Sequence, residues 1–206
     1  MLNIVDVSKS YNKGAVKAVD SLNLSVPKGE IFGFLGPNGA GKTTTIKMMT
    51  GILTPDSGTI SINGYDIQKN PLEAKQSIGY VPDNPDVYEK LTGMEYLIKS
   101  YSHGMRQKIV ISGALLHKPA LWILDEPLVG LDPRSAHLLK EEMKRHCEQG
   151  NTVFFSTHIL EVAEKLCDRV GIIHKGKLIA VGTLEQLKSS EKTASLKNIF
   201  LELTEQ

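Results

Sequence analysis

Apolar residues in this chain follow two different periods, and the points where the period changes outline the elements. Residues 2–7 (LNIVDV) and 18–26 (AVDSLNLSV) alternate apolar and polar, and the turn Pro27-Lys28-Gly29 follows, so an antiparallel sheet is expected at the start. Residues 31–35 (IFGFL) are apolar at every position, as in a strand buried on both faces of a parallel sheet, and lead through a glycine-rich loop into the helix-like KTTTIKMM. TISIN followed by Gly64 and Tyr65 reads as a short hairpin around Asn63-Gly64 that extends the antiparallel part.

Beyond residue 104, helix-like and strand-like stretches alternate: 105–117 (MRQKIVISGALLH), 120–124 (ALWIL), 133–150 (PRSAHLLKEEMKRHCEQG), 152–156 (TVFFS), 158–167 (HILEVAEKLC) and 169–174 (RVGIIH). Such alternation predicts an α/β fold with a mainly parallel sheet covered by helices. A last hairpin turns at Lys175-Gly176, and two short amphipathic pieces ending in LKNIFLELT follow it.

A chain of 206 residues that is 41% hydrophobic can bury a substantial core, so one globular domain is expected. The 24 basic and 23 acidic residues leave a formal charge of +1, which argues against nucleic acid as a partner and leaves charged ligands to local recognition. Cys147 and Cys167 form no CxxC pair and read as reduced thiols of a cytosolic protein. The apolar runs fall short of the ~20 residues that span a bilayer. The first eleven residues lack the basic start and apolar core of a secretion signal, so a cytoplasmic location is expected.

Candidate chemistry begins at Gly36-Pro37-Asn38-Gly39-Ala40-Gly41-Lys42-Thr43, which meets G-x-x-x-x-G-K-[ST] at every fixed position, between a strand and a helix. Glycines let backbone amides converge on phosphate oxygens, and the helix beginning near Lys42 adds the positive end of its dipole. Lys42 would bridge the β- and γ-phosphates, and the Thr43 hydroxyl would be a Mg²⁺ ligand. In residues 121–127 (LWILDEP), a buried strand emerges with two carboxylates, where open α/β sheets bind ligands. Asp125 is the expected Mg²⁺ anchor and Glu126 the expected general base for an attacking water.

A third element narrows the class. Tyr101-Ser102-His103-Gly104-Met105-Arg106-Gln107 resembles the signature LSGGQ of ABC transporter ATP-binding subunits, with Ser102 and Gly104 matched and Tyr101, His103 and Met105 substituted. By itself the stretch reads better as a plain helix start capped by Ser102. Gly130-Leu131-Asp132 resembles the family's D-loop, and STHIL (156–160) places His158 as its switch histidine. Tyr11 resembles the aromatic residue that stacks on adenine.

The resemblance implies a P-loop NTPase core with an N-terminal antiparallel β lobe: about 1–30 and 57–81 for the lobe, 31–56 and 118–182 for the core, 91–117 for the signature region, 183–206 for a tail. The implied nucleotide set is Tyr11, Gly36, Pro37, Asn38, Gly39, Ala40, Gly41, Lys42, Thr43, Thr44, Ser102, Gly104 and Asp132. Glu126, His158 and Lys42 are the implied catalytic group, and Thr43, Asp125 and Asp83 the implied metal group. ATP and Mg²⁺ are the implied cofactors. Two subunits would face head to tail, ATP on the phosphate loop of one being covered by Ser102 and Gly104 of the other, and would drive a separate membrane-spanning permease from the cytoplasmic face. An exporter subunit is the reading; a soluble ATPase acting on nucleic acid or ribosomes, or a nucleotide-dependent regulator, are the alternatives.

Two departures stand out. Asp83 occupies the place where the family carries a glutamine that senses Mg²⁺. Between there and the signature the family has a helical subdomain, yet residues 91–97 (LTGMEYL) run almost directly into 98–104 (IKSYSHG), so a few dozen residues are missing from the pattern: either the subdomain is truly truncated, or, the favoured reading, two pieces are joined across an omitted segment. The expected seam is the junction of Leu97 and Ile98: a helix begun at Thr92 would have to reverse there without glycine or proline.

Overall fold

A computed structural model describes residues 1–84 and 102–190, with Leu196, Asn198 and Phe200 beyond them. The expected seam at Leu97 and Ile98 lies outside the described residues.

The first strands, β1 (Leu2–Tyr11) and β2 (Val16–Val26), pair antiparallel from Leu2 opposite Val26 to Tyr11 opposite Val16. The other edge of β1 takes β4 (Ser57–Ile62), and β5 (Tyr65–Asp66) closes a four-stranded sheet in the order β2-β1-β4-β5. Strict alternation in LNIVDV fails at Val5, and the structure accommodates this with a bulge. The register slips between Ile4 and Val7, Asp6 adopts φ 49°, and Val7 returns to the buried face beside Leu2 and Ile4. The hairpin between β4 and β5 turns at Asn63 and Gly64, both with positive φ, which a two-residue turn of this hand requires.

The second sheet has the order β10-β9-β3-β8-β7-β6. Its strands are β3 (Ile31–Leu35), β6 (Ile78–Val81), β7 (Leu121–Leu124), β8 (Thr152–Thr157), β9 (Arg169–His174) and β10 (Lys177–Gly182). All are parallel except β10, which returns from β9 through Lys175-Gly176 as the hairpin predicts. Every residue of β3 is buried, as the all-apolar run demands.

Alternate residues of the strands feed separate cores. Phe32, Phe34 and Phe154 face the antiparallel sheet and α1 (Lys42–Met49), with ring centroids 5.6 and 5.4 Å from Phe154. Burying each such ring is worth roughly 2–3 kcal/mol. On the opposite face, Trp122, Leu124, Val153 and Phe155 meet α3 (His103–Leu115) and α4 (Pro133–Glu148). Helix α4 presents Leu139, Met143 and His146, one helical stripe. Helices α5 (Leu160–Leu166) and α6 (Leu184–Ser190) cover Leu35, Val170 and Ile172. Helix α2 (Pro71–Gln76) precedes β6.

One expected boundary is corrected. The antiparallel lobe, expected to include residues 57–81, does not reach that far: Ile78–Val81 pairs parallel with β7 at the edge of the second sheet. Gly79 supplies the reason: a Cβ there would lie 2.5 Å from the Ala114 carbonyl oxygen, so α3 passes directly over this strand. Cys147 and Cys167 are both unbonded thiols, and burial pushes Cys147 up to about 11. Among the described residues no helix is long and apolar enough to cross a membrane.

Candidate functional site

Because β3, β6, β7 and β8 run parallel, their C-terminal ends share one edge of the sheet. The phosphate-binding loop leaves β3 there, Asp83 follows β6, Asp125 and Glu126 follow β7, and His158 follows β8.

Helix α1 begins without the usual supports. Gly41 precedes it with φ 110°, no side chain caps it, and its first turn has no acidic residue. Three successive threonines are poor helix formers, so tertiary burial of Ile46, Met48 and Met49 maintains it. The first-turn amides therefore have no side-chain competitor for an anion. By contrast, α3 is capped by Ser102, which accepts from the Met105 amide at 3.3 Å, and α4 by Asp132, which accepts from the Ser135 amide at 2.9 Å. The loop glycines are sterically required: a Cβ at Gly36 would lie 2.5 Å from the Ile173 carbonyl oxygen, and one at Gly41 2.4 Å from that of Ala18.

Lys42 is 6% exposed, its ammonium donating to the Gly36 carbonyl at 2.8 Å and the Pro37 carbonyl at 3.3 Å. It also pairs with Glu126 Oε1 at 3.3 Å. The other Glu126 oxygen, Oε2, lies 3.0 Å from His158 Nδ1. Residues of the loop, Thr43, Thr44, Asp83, Glu126 and Ala18 of β2 line a cavity of about 190 Å³ around Lys42.

Asp125 is fully buried. Ser156 Oγ donates to its Oδ1 at 2.5 Å, while Oδ2 has no hydrogen-bond partner. Burial raises its pKa, against the lowering effect of the Ser156 and Thr43 hydroxyls, and the charges of Asp83 and Glu126 raise it further. Tyr80 is pushed up to about 12, first by burial and then by Asp125 and Asp83.

A divalent cation fits this donor set. Asp125 offers an orphaned buried carboxylate oxygen, and the Thr43 hydroxyl and Asp83 stand beside it. Among the described residues no three acidic, histidine or cysteine side chains are assembled to hold a metal unaided. The remaining ligands would be water and phosphate oxygens, the habit of Mg²⁺.

Some expected residues stand elsewhere. Tyr11, at the end of β1 and 39% exposed, is not among the residues lining the phosphate cavity. Ser102, Gly104 and Asp132 are also outside that lining, and Gly104 lies against Gly130. Two residues with no expected role matter. Ser156 binds Asp125 and accepts from the Glu126 amide at 3.0 Å. Gln107 is buried in α3 and donates to the Pro127 carbonyl at 2.7 Å, tying the signature helix to the carboxylate loop. The signal for Ser156 was a serine following the apolar run Val153–Phe155 of β8; Gln107 had none beyond its position.

A phosphate loop, a buried magnesium-type aspartate and an adjoining glutamate on one sheet edge define a P-loop nucleotide-hydrolase fold. The profile of the ABC transporter family matches residues 19–96 and 85–129. The linearmycin resistance ATP-binding protein LnrL of Bacillus subtilis is 40% identical over 223 aligned positions, covering 92% of this chain and 71% of that protein. The ABC-type transporter ATP-binding protein EcsA of Bacillus subtilis is 34% identical, covering 100% of this chain and 97% of that protein. A solved ATP-binding subunit of an ABC transporter superposes with TM-score 0.90 at 33% identity, covering 98% of this chain and 99% of that one. The chain belongs to the ABC transporter family and is an ATP-binding subunit of that kind. The EcsA alignment runs for 242 positions against the 206 residues here, so at least 36 positions of that relative have no counterpart in this chain.

Proposed function

We infer that this chain binds and hydrolyses ATP as the engine of a transporter whose membrane-spanning permease is a separate subunit. The observation that carries the reading is the convergence of Lys42, Thr43, Glu126 and Asp83 on one cavity, with Asp125 buried behind it and His158 in contact with Glu126.

ATP would seat its phosphates on the amides that begin α1, and Lys42 would exchange its loop carbonyls and Glu126 for phosphate oxygens. Asp125, Thr43 and Asp83 are the residues to hold Mg²⁺, which supplies charge neutralisation at the phosphates. Glu126, released from Lys42, would take a proton from the attacking water. His158, within hydrogen-bonding reach of Glu126, would contact the γ-phosphate.

Ser102, Gly104 and Asp132 do not line the chain's own phosphate cavity. That placement supports a second subunit, identical or related, whose signature covers this nucleotide head to tail. The names of the relatives, one a resistance protein and one a transporter protein, support a permease partner at the cytoplasmic face of the membrane.

Glu126→Gln tests the reading. The amide keeps the shape and cannot accept the water's proton, so ATP binding should survive while hydrolysis falls about 10²- to 10⁴-fold. With ATP and Mg²⁺ the variant should elute as a dimer in sizing chromatography. Turnover at the parent rate would place the base elsewhere.

A further inference from the structure

We propose that Asp83 makes nucleotide entry conditional on a divalent cation, so that the site admits ATP with its metal and rejects ATP without it. The inference rests on the ATP reading above and deepens it.

Parallel pairing sets Val81 opposite Leu124, and the Asp125 amide donates to the Val81 carbonyl at 2.9 Å. The residues two beyond each of that pair, Asp83 and Glu126, therefore emerge side by side, and both line the cavity with Lys42 and Thr43. Asp125 lies behind them, fully buried, with Oδ2 unpartnered. Among the described residues Lys42 is the only cationic side chain lining the cavity, and it already pairs with Glu126 at 3.3 Å. The carboxylates thus outnumber the ammonium, and a bare polyphosphate brings more negative charge into the same space.

A glutamine, the residue of the family pattern, would offer an oxygen without that surplus. The carboxylate of Asp83 repels uncomplexed phosphate and attracts a cation riding on it. Asp83 is exposed and solvated, so it performs this selection at the mouth of the pocket while buried Asp125 serves as the anchor.

Titration calorimetry of ATP into the full chain, once with Mg²⁺ and once with a chelator, tests the proposal on the parent, Asp83→Gln, Asp83→Glu and Lys42→Ala. In the parent, ATP should bind more tightly with Mg²⁺ than with chelator. Asp83→Gln should narrow that ratio by about tenfold, chiefly by tightening metal-free binding, the size expected of one unit charge beside a solvent-open pocket. Asp83→Glu should keep the parental ratio. An unchanged ratio in Asp83→Gln overturns the proposal, as does Asp83→Glu behaving like Asp83→Gln. Parental binding by Lys42→Ala instead sinks the ATP-site reading itself, which separates the two failures. Asp83 is a surface residue, so the variants should fold, and circular dichroism verifies that they do.

Discussion

Ser156→Ala removes a side chain that touches both working carboxylate residues. Its hydroxyl donates to buried Asp125 at 2.5 Å and accepts from the Glu126 amide at 3.0 Å. The first bond is charge-assisted and inside the protein, worth about 1.5–3 kcal/mol, and the second adds about 0.5–1.5 kcal/mol. Alanine nearly fills the same space, so a cavity contributes little. The expected loss is about 2–4 kcal/mol, or roughly 10 °C in melting temperature for a chain of this size. Denaturation in urea and by heat would measure it. A double-mutant cycle isolates the cause: in an Asp125→Asn background the amide oxygen still accepts but carries no charge, so the Ser156→Ala cost should fall to about half. Equal cost in both backgrounds, or a melting temperature indistinguishable from the parent, would refute the argument that Ser156 stabilises the aspartate's charge.

The loop geometry predicts that Gly36→Ala abolishes ATP binding: the new Cβ meets a backbone oxygen at 2.5 Å, which no side-chain rotation relieves, while Gly39→Ala, where φ is 79° but space is open, should retain weakened binding in the same calorimetric assay. For His146, burial is the largest influence and lowers the pKa from 6.5, against the opposing pull of Glu142 and the Pro119 backbone. A histidine kept neutral by folding destabilises the fold as pH drops below its unfolded value, so stability should decline from about pH 6.5 downward and His146→Gln should flatten that decline. An identical pH profile for the variant in urea melts would exclude His146 as the source.

What the sequence determined by itself was whatever depends on neighbours along the chain. The phosphate loop was legible because its pattern is contiguous, Gly36 to Thr43 leading from β3 straight into α1, although the backbone that crowds Gly36 and Gly41 belongs to distant Ile173 and Ala18. The hairpins at Asn63-Gly64 and Lys175-Gly176 were legible for the same reason, as was the buried strand IFGFL. Tertiary structure decided everything that rests on pairing across crossovers. Residues 78–81 carry no mark of which sheet they join, and pairing with β7, some forty residues away, decided it. That pairing also brought Asp83 beside Glu126, and the pairing of β7 with β8 brought Ser156 beneath Asp125. Parallel strands meet only after a long crossover, so their register is written in the packing of helices and sheet rather than in any contiguous stretch of sequence.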